Sequence, residues 1–230
     1  MNNKMKDATH SSLTAEFDSL ADEYYAQHTA NVAITGERPE YFAEYKVADL
    51  TRLALELNHP PPSILHFGWG IGNSIPHFRE YFSNQDVTYA DISKRSIELA
   101  SARFPGNENY CLIAEERLPL EDGSADIAFL WGLYTNMKPE DVEAYNREIG
   151  RILRPGGRCF LTAFAEDGVA DLSINPPDYV PYACDGPLTV VRYSKPWLFA
   201  SFQRHGLRIE DFRYHGSMFP KQSEIYLVKG

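Results

Sequence analysis

Gly68, Gly70 and Gly72 stand at alternate positions in "SILHFGWGIGNS" (63–74), between a short apolar run and a segment with helical patterning. Glycine carries no Cβ, so such a loop turns sharply and brings its backbone N–H groups close to a ligand. The helix that follows adds unpaired N–H groups and a partial positive charge. Asp91 ends the run "VTYAD", 19 residues after Gly72. A carboxylate at the end of the next strand of an α/β unit is placed to accept hydrogen bonds from both hydroxyls of a ribose. Together these residues describe a nucleoside pocket. A dinucleotide-binding loop reads G-x-G-x-x-G, whereas here position 73 is Asn and the third glycine arrives one residue early. That spacing disfavours a pyrophosphate, and with it a nicotinamide-dependent oxidoreductase.

The elements that would position these residues follow from periodicity. Residues 15–28 put Phe17, Leu20, Tyr24 and His28 on one helical face. Pro39 opens a second amphipathic helix, with Ala43, Val47, Leu50, Ala54 and Leu57 as its apolar stripe, and "NHPPP" (58–62) stops it. From Ser63 onward, apolar runs near 63–67, 86–91, 109–114, 126–131 and 158–164 alternate with helical segments near 74–82, 94–104 and 139–153. Such alternation requires crossover connections and predicts a doubly wound α/β fold. Two further runs, near 208–214 and 224–228, finish a mostly parallel seven-stranded sheet as an antiparallel hairpin. Helices cover both faces of this Rossmann-like arrangement, and N-terminal helices form a lid. One domain is expected over 15–230: a helical lid (15–60), a cofactor-binding core (63–164), a substrate flap (165–193) and a C-terminal helix with strands (194–230), after a disordered start (1–14). The flap expectation rests on its length without period, which in a compact domain is usually functional or disordered.

Composition narrows the ligand. With 22 Lys and Arg against 32 Asp and Glu, the formal net charge is −10, which suits a small-molecule substrate better than nucleic acid, where phosphate neutralisation dominates affinity. No run approaches the roughly 18 apolar residues of a membrane span. The first ten residues carry two lysines but no apolar stretch, so no secretory leader is expected. Cys111, Cys159 and Cys184 lack metal-ligand or CxxC spacing, in keeping with a reducing, cytoplasmic address and no metal.

At this point the chain resembles the class I S-adenosylmethionine-dependent methyltransferases, from about Ser63 to Ser194. The resemblance rests on four motifs in order: "ILHFGWGIGNS", "YADIS", "RLPLEDGSADIAFLW" and "ILRPGG". It implies S-adenosyl-L-methionine as cofactor and methyl transfer to an O or N atom of a small metabolite, with sugars and natural-product intermediates suggested by "FAEYK". Carried over residue by residue, it places Gly68, Gly70 and Gly72 along the methionine and ribose portion. Asp91 would hold the ribose hydroxyls, Ile92 one adenine face, and Leu118 the other. Trp131 and Gly132 would face the methyl group, with Tyr25 and Tyr134 lining the acceptor side. Two positions depart from the family pattern. His66 stands where the family usually has an acidic residue, and Ala114 where it usually has Asp, a role that Glu115 or Glu116 would take over.

The departures leave a second reading open, a cofactor-binding partner of the same fold without turnover. "INPPDY" (174–179) resembles a motif of amino-group methyltransferases but follows the fifth strand and is interrupted by Asp178, so a proline turn is expected. Where the acceptor is a hydroxyl, a general base helps. His28 and His215 are the candidates, and spacing selects neither.

Overall fold

In the computed structural model the described residues are 14–57, 62–82, 87–113, 117–118, 120–177, 189–214 and 222–230. They group into two units, Met1–Pro61 with Gly68–Pro119, and Pro62–Phe67 with Leu120–Gly230.

The first unit begins with α1 (14–20) and α2 (Tyr24–Val32), joined by a turn, so the segment expected as one helix is broken at 21–23. A 3-10 turn, Ala33–Thr35, ends at Gly36 in the left-handed region. Then α3 (Pro39–Leu55) starts on proline at its first turn and buries Ala43, Val47, Leu50 and Leu53, close to the stripe expected from the sequence. It packs on α4 (Ile75–Tyr81), which follows the glycine loop. Strand β2 (Val87–Asp91) and strand β3 (Asn109–Leu112) pair in parallel, Asp91 opposite Leu112. Between them in the chain runs α5 (Lys94–Arg103), packed on both. Ser93 caps α5 by accepting the Ser96 N–H at 3.0 Å.

The second unit holds β1 (Ile64–Phe67), β4 (Ala125–Leu130) and β5 (Leu153–Glu166), in the parallel order β1-β4-β5. β1 and β4 are buried at every position, as strands covered on both faces must be. Helix α6 (Pro139–Ile152) ends where "RPGG" begins, and β5 starts at once through that turn, with Gly156 at φ 77°. β5 is thus longer than its expected 158–164. Its middle, Arg158–Ala163, pairs antiparallel with β9 (Ser223–Lys229), itself paired to β8 (Leu207–Arg213), which is the expected terminal hairpin.

All seven expected strands are present, and two more come from the stretch read as a flap without period. β6 (Leu172–Ile174) pairs antiparallel with β7 (Val191–Ser194), and β7 runs parallel to the end of β5. These strands are only three and four residues long, too short for a period-2 pattern to stand out from turn formers. The "INPPDY" turn opens at Asn175, whose φ is 46° and whose backbone and side chain both bond Val190. Ser194 then caps α7 (Lys195–Arg204) through the Trp197 N–H at 3.2 Å, and Gly206 closes it. Among the described residues, no helix is long and apolar enough to cross a membrane.

Candidate functional site

The three glycines of the loop are there for different reasons. All have positive φ, 70° at Gly68, 59° at Gly70 and 83° at Gly72, a region L side chains avoid. Gly68 N–H bonds the Ala90 carbonyl at 2.9 Å, which ties the loop to β2. At Gly72 a Cβ would lie 2.8 Å from Ile75 Cδ1 and 2.9 Å from Ala100 Cβ, so this glycine is required by packing between α4 and α5. Gly70 differs from both. The space a Cβ would take there meets only the Tyr24 ring, at an ordinary 3.6 Å, and its N–H donates to Asp91 Oδ2 at 3.1 Å.

Asp91 is the centre of this corner. It is buried, and its Oδ1 accepts the Ser93 N–H at 2.9 Å. Burial pushes its carboxyl up to about 6; the N–H groups of Ser93, Gly70 and Ile92 work against that rise, and the Asp18 carboxylate adds to it. Asp18 in α1 accepts the Ser93 hydroxyl at 2.6 Å and the Arg95 N–H at 3.1 Å, and Asp22 pairs with the Arg95 guanidinium at 2.5 Å. These bonds fix the N-terminal helices to the start of α5. Tyr24 in α2 lies against Gly70, and its phenol is raised by burial and then by the Asp91 charge. One turn on, His28 meets the Tyr24 ring edge-on at 5.9 Å.

This arrangement fits an adenosyl ligand. A carboxylate offers about four acceptor positions, and the three neighbouring N–H groups leave one for a ligand hydroxyl. At Gly70, beside it, the space a side chain would take is open except for Tyr24. Ile92 and Leu118, the residues expected at the two adenine faces, are both buried apolar side chains.

Tyr25, expected on the acceptor side, is engaged by Glu40 and Arg103. It is half exposed, its hydroxyl donates to Glu40 Oε1 at 2.9 Å, and Arg103 lies over its ring at 4.9 Å. Arg103 also bonds Glu40 Oε1 at 3.1 Å and the Asn73 side-chain carbonyl at the end of the glycine loop. Asp18, Glu40, Asn73 and Arg103 were not legible as a set, since their contacts join segments up to about 75 residues apart.

In the second unit, His66 is buried beside its strand partner Phe129, with ring centroids 4.9 Å apart. Trp131 follows the end of β4, partly exposed, and rests on Phe160 at 5.2 Å. Gly132 has φ 73° with nothing within 4 Å of where a Cβ would stand, and its N–H donates to Thr162 Oγ1 at 2.8 Å. Tyr134 corrects the expectation of a substrate-lining residue. Its side chain is fully buried, and its hydroxyl donates to Asn146 Oδ1 at 2.7 Å in a chain continued by Asn146 Nδ2 to Ser201. It is a core residue. Ala114, Glu115, Glu116, Tyr179, Cys184 and His215 lie outside the described residues.

Residues 65–161 match the family model described as a methyltransferase domain. A malonyl-[acyl-carrier protein] O-methyltransferase of Methylococcus capsulatus is 31% identical over 121 residues, 50% of this chain and 42% of the relative. A 23S rRNA (guanine(748)-N(1))-methyltransferase of Streptomyces fradiae is 28% identical over 112 residues, 49% of this chain and 37% of the relative. The chain therefore spans less than half the length of these curated relatives. Among solved structures, magnesium protoporphyrin IX methyltransferase from Synechocystis PCC 6803, with bound SAH, superposes with a TM-score of 0.67 at 13% identity, covering 96% of this chain and 99% of that one. The Burkholderia thailandensis 1,6-didemethyltoxoflavin-N1-methyltransferase, bound to 1,6-didemethyltoxoflavin and S-adenosylhomocysteine, does so with a TM-score of 0.59 at 18% identity, covering 91% and 87%. These structures share the Rossmann-like α/β fold.

Proposed function

We propose, for a chain whose residues 65–161 are a methyltransferase domain of the class I S-adenosylmethionine-dependent family, that it transfers the methyl group of S-adenosylmethionine to an oxygen or nitrogen atom of a small metabolite. The observation that carries this reading is Asp91, buried at a strand end and hydrogen-bonded to the N–H of Gly70. A buried carboxylate raised to about 6 is costly to the free protein, and binding a polyhydroxyl ligand is what gives it a use. Gly68 and Gly70 lie along the methionine and ribose portion, Asp91 accepts from a ribose hydroxyl, and Ile92 and Leu118 flank the adenine. Residues 15–60 act as the cover, with Tyr24 as the side chain over the loop.

When bound, the cofactor supplies a methyl carbon already made electrophilic by its sulfonium. The protein is left with orientation and the exclusion of water. Tyr24 and the helices clamped by Asp18 and Asp22 serve the second task. A small metabolite is favoured over RNA by the net charge of −10, while the relatives named above are a malonyl-[acyl-carrier protein] O-methyltransferase and a 23S rRNA (guanine(748)-N(1))-methyltransferase.

Calorimetry with S-adenosylhomocysteine, together with mass spectrometry of small molecules carried through purification, tests the reading. Micromolar or tighter binding of S-adenosylhomocysteine with no response to NADH is the expected result. Absence of binding at millimolar concentration sinks it. Methyl transfer to total RNA but not to a small-molecule fraction would retain the cofactor and overturn the acceptor class.

A further inference from the structure

Two buried polar atoms have no hydrogen-bond partner in the protein: Nδ1 of His28, whose ring meets Tyr24, and Oε2 of Glu40, which holds the neighbouring Tyr25. Leaving a buried polar atom unpaired forfeits its hydration with nothing in return, so a pair of them in one neighbourhood marks a place where something else supplies the partners. His28 and Glu40 are neighbours electrostatically as well, since the Glu40 charge acts on the imidazole. Glu40 is held in place through its other oxygen, which accepts from Tyr25 and Arg103. A carboxylate oxygen only accepts, and an imidazole with its proton on Nε2 also accepts at Nδ1. What is missing is a ligand rich in donors.

We propose that His28 Nδ1 and Glu40 Oε2 bind the hydroxyl groups of the methyl acceptor, and that His28 is the general base for O-methylation. This rests on the cofactor reading above, because it is Tyr24, in contact with both Gly70 and His28, that relates this subsite to the loop. As the acceptor oxygen's lone pair forms the O–CH3 bond, the S–C bond breaks and its electron pair returns to sulfur. The O–H proton passes to Nδ1, leaving an imidazolium that later releases it to solvent.

The charged and titratable groups around His28 favour a hydroxyl over an amine. Burial lowers its pKa to about 4, with the Lys46 charge of α3 acting in the same direction and Glu40 opposing them. Lys46 is itself brought down by burial to about 7. Tyr24 on the same helix is neutral, and beyond it lies Asp91, while Arg103 of α5 is engaged with Glu40. The imidazole thus stays neutral and ready to accept at physiological pH. So weak a base takes no proton from an alkylammonium, whose pKa is about 10. It readily takes one from a hydroxyl oxygen that turns strongly acidic as it is alkylated.

The test uses the full chain, with phenol and 4-nitrophenol as acceptors and aniline and benzylamine as amine controls. In protein labelled with 15N-histidine and saturated with S-adenosylhomocysteine, the His28 resonance is assigned by its loss in His28→Gln. Phenol is expected to shift the Nδ1 signal saturably from the position of an unbonded pyridine-type nitrogen. With radiolabelled S-adenosylmethionine, His28→Gln should lose about 10²–10⁴-fold in methyl transfer to phenol. It should lose little with 4-nitrophenol, which ionises near neutral pH without help, and should bind S-adenosylhomocysteine as the parent does. An equal loss with both phenols assigns His28 a structural role and overturns the proposal. So does an unmoved Nδ1 signal, transfer to an amine in place of phenol, or no transfer to phenol while S-adenosylhomocysteine binds. Failure to bind S-adenosylhomocysteine at all would instead strike the cofactor reading.

Discussion

Tyr24 and Tyr25 are consecutive on one helix, yet they serve two carboxylates held in opposite ways. Tyr24 turns inward to Gly70 and the buried Asp91, which backbone N–H groups hold and whose carboxyl is driven up by burial. Tyr25 turns outward to Glu40. There burial also pushes upward, but Glu40's own N–H and the bonds from Tyr25 and Arg103 outweigh it, and the carboxyl lies below its ordinary value. A carboxylate with a guanidinium partner works as a clasp through the oxygen that the partner holds, and Glu40 keeps its second oxygen unpaired. One that relies on amide dipoles retains acceptor capacity and an unrelieved desolvation cost, which is the state expected of a ligand site before its ligand arrives.

If that contrast is right, removing the inner carboxylate has the largest effect. A charge-assisted hydrogen bond to a ribose hydroxyl, at roughly 1.5–3 kcal/mol, amounts to about 10- to 150-fold in affinity. Asp91→Ala should therefore lose a factor in that range for S-adenosylhomocysteine by calorimetry, whereas Glu40→Gln should lose less than about tenfold, as a surface ion-pair change does. Similar losses for the two would erase the distinction between them.

The pH dependence separates the regions next. Asp91 in the free protein titrates near 6, above the 3.8 of an ordinary aspartate, and the ribose requires the carboxylate. Affinity for S-adenosylhomocysteine should be constant above pH 6 and fall about tenfold per pH unit below it. Stability moves the other way. With the folded-state value raised, the folded form takes up the proton first, so this group's destabilising contribution is full above pH 6 and relieved as pH falls towards 3.8. Calorimetry between pH 5 and 8, paired with melts of the parent and Asp91→Asn, reads both signs. An affinity that rises on acidification would contradict the assignment.

Tyr24 should matter less than Asp91. Loss of its ring from the face of Gly70 is expected to cost about tenfold in affinity in Tyr24→Ala, in line with one to two kcal/mol for a partly buried aromatic. Tyr24→Phe should bind like the parent, since the ring and not the hydroxyl makes the contact.

How far all this could be read beforehand depended on the range of the interaction. The glycine loop, Asp91 at the strand end and the α3 stripe are local patterns within a turn or a strand, and they survived into the structure with boundaries moved by a few residues. The reason for Gly72 was not local. It answers to Ala100, 28 residues away, and looks in sequence like its two neighbours. Tyr134 misled for a related cause. A tyrosine just past a strand end is equally suited to a cavity or to the core, and the choice was made by Asn146 and Ser201, on helices later in the chain. The sequence offers Tyr25 for the acceptor side, while the helical face drawn through 15–28 already carries Tyr24, which makes the loop contact, although a turn at 21–23 interrupts that helix. β6 and β7 are patterned by pairing with each other and with β5, and neither is long enough to announce itself.

The smallest effect belongs to Arg103, and it is the most informative about how the two regions communicate. Arg103 is half exposed and makes one ion pair, one side-chain hydrogen bond to Asn73 and ring contacts with Tyr25 and Phe104. Pairs of this exposure contribute up to about 1 kcal/mol and are screened by salt, so Arg103→Ala should weaken S-adenosylhomocysteine binding about two- to fivefold at low ionic strength and less at about 0.5 M salt. If the clasp acts only by holding α2 so that Tyr24 rests on the loop, it has nothing left to hold once that ring is gone. The double variant Tyr24→Ala with Arg103→Ala should then bind no more weakly than Tyr24→Ala alone, a coupling visible in a double-mutant cycle. Additive losses would mean that Arg103 reaches the ligand site by another route, through Asn73 and the end of the glycine loop, and the outer region would no longer be merely the clasp for the inner one.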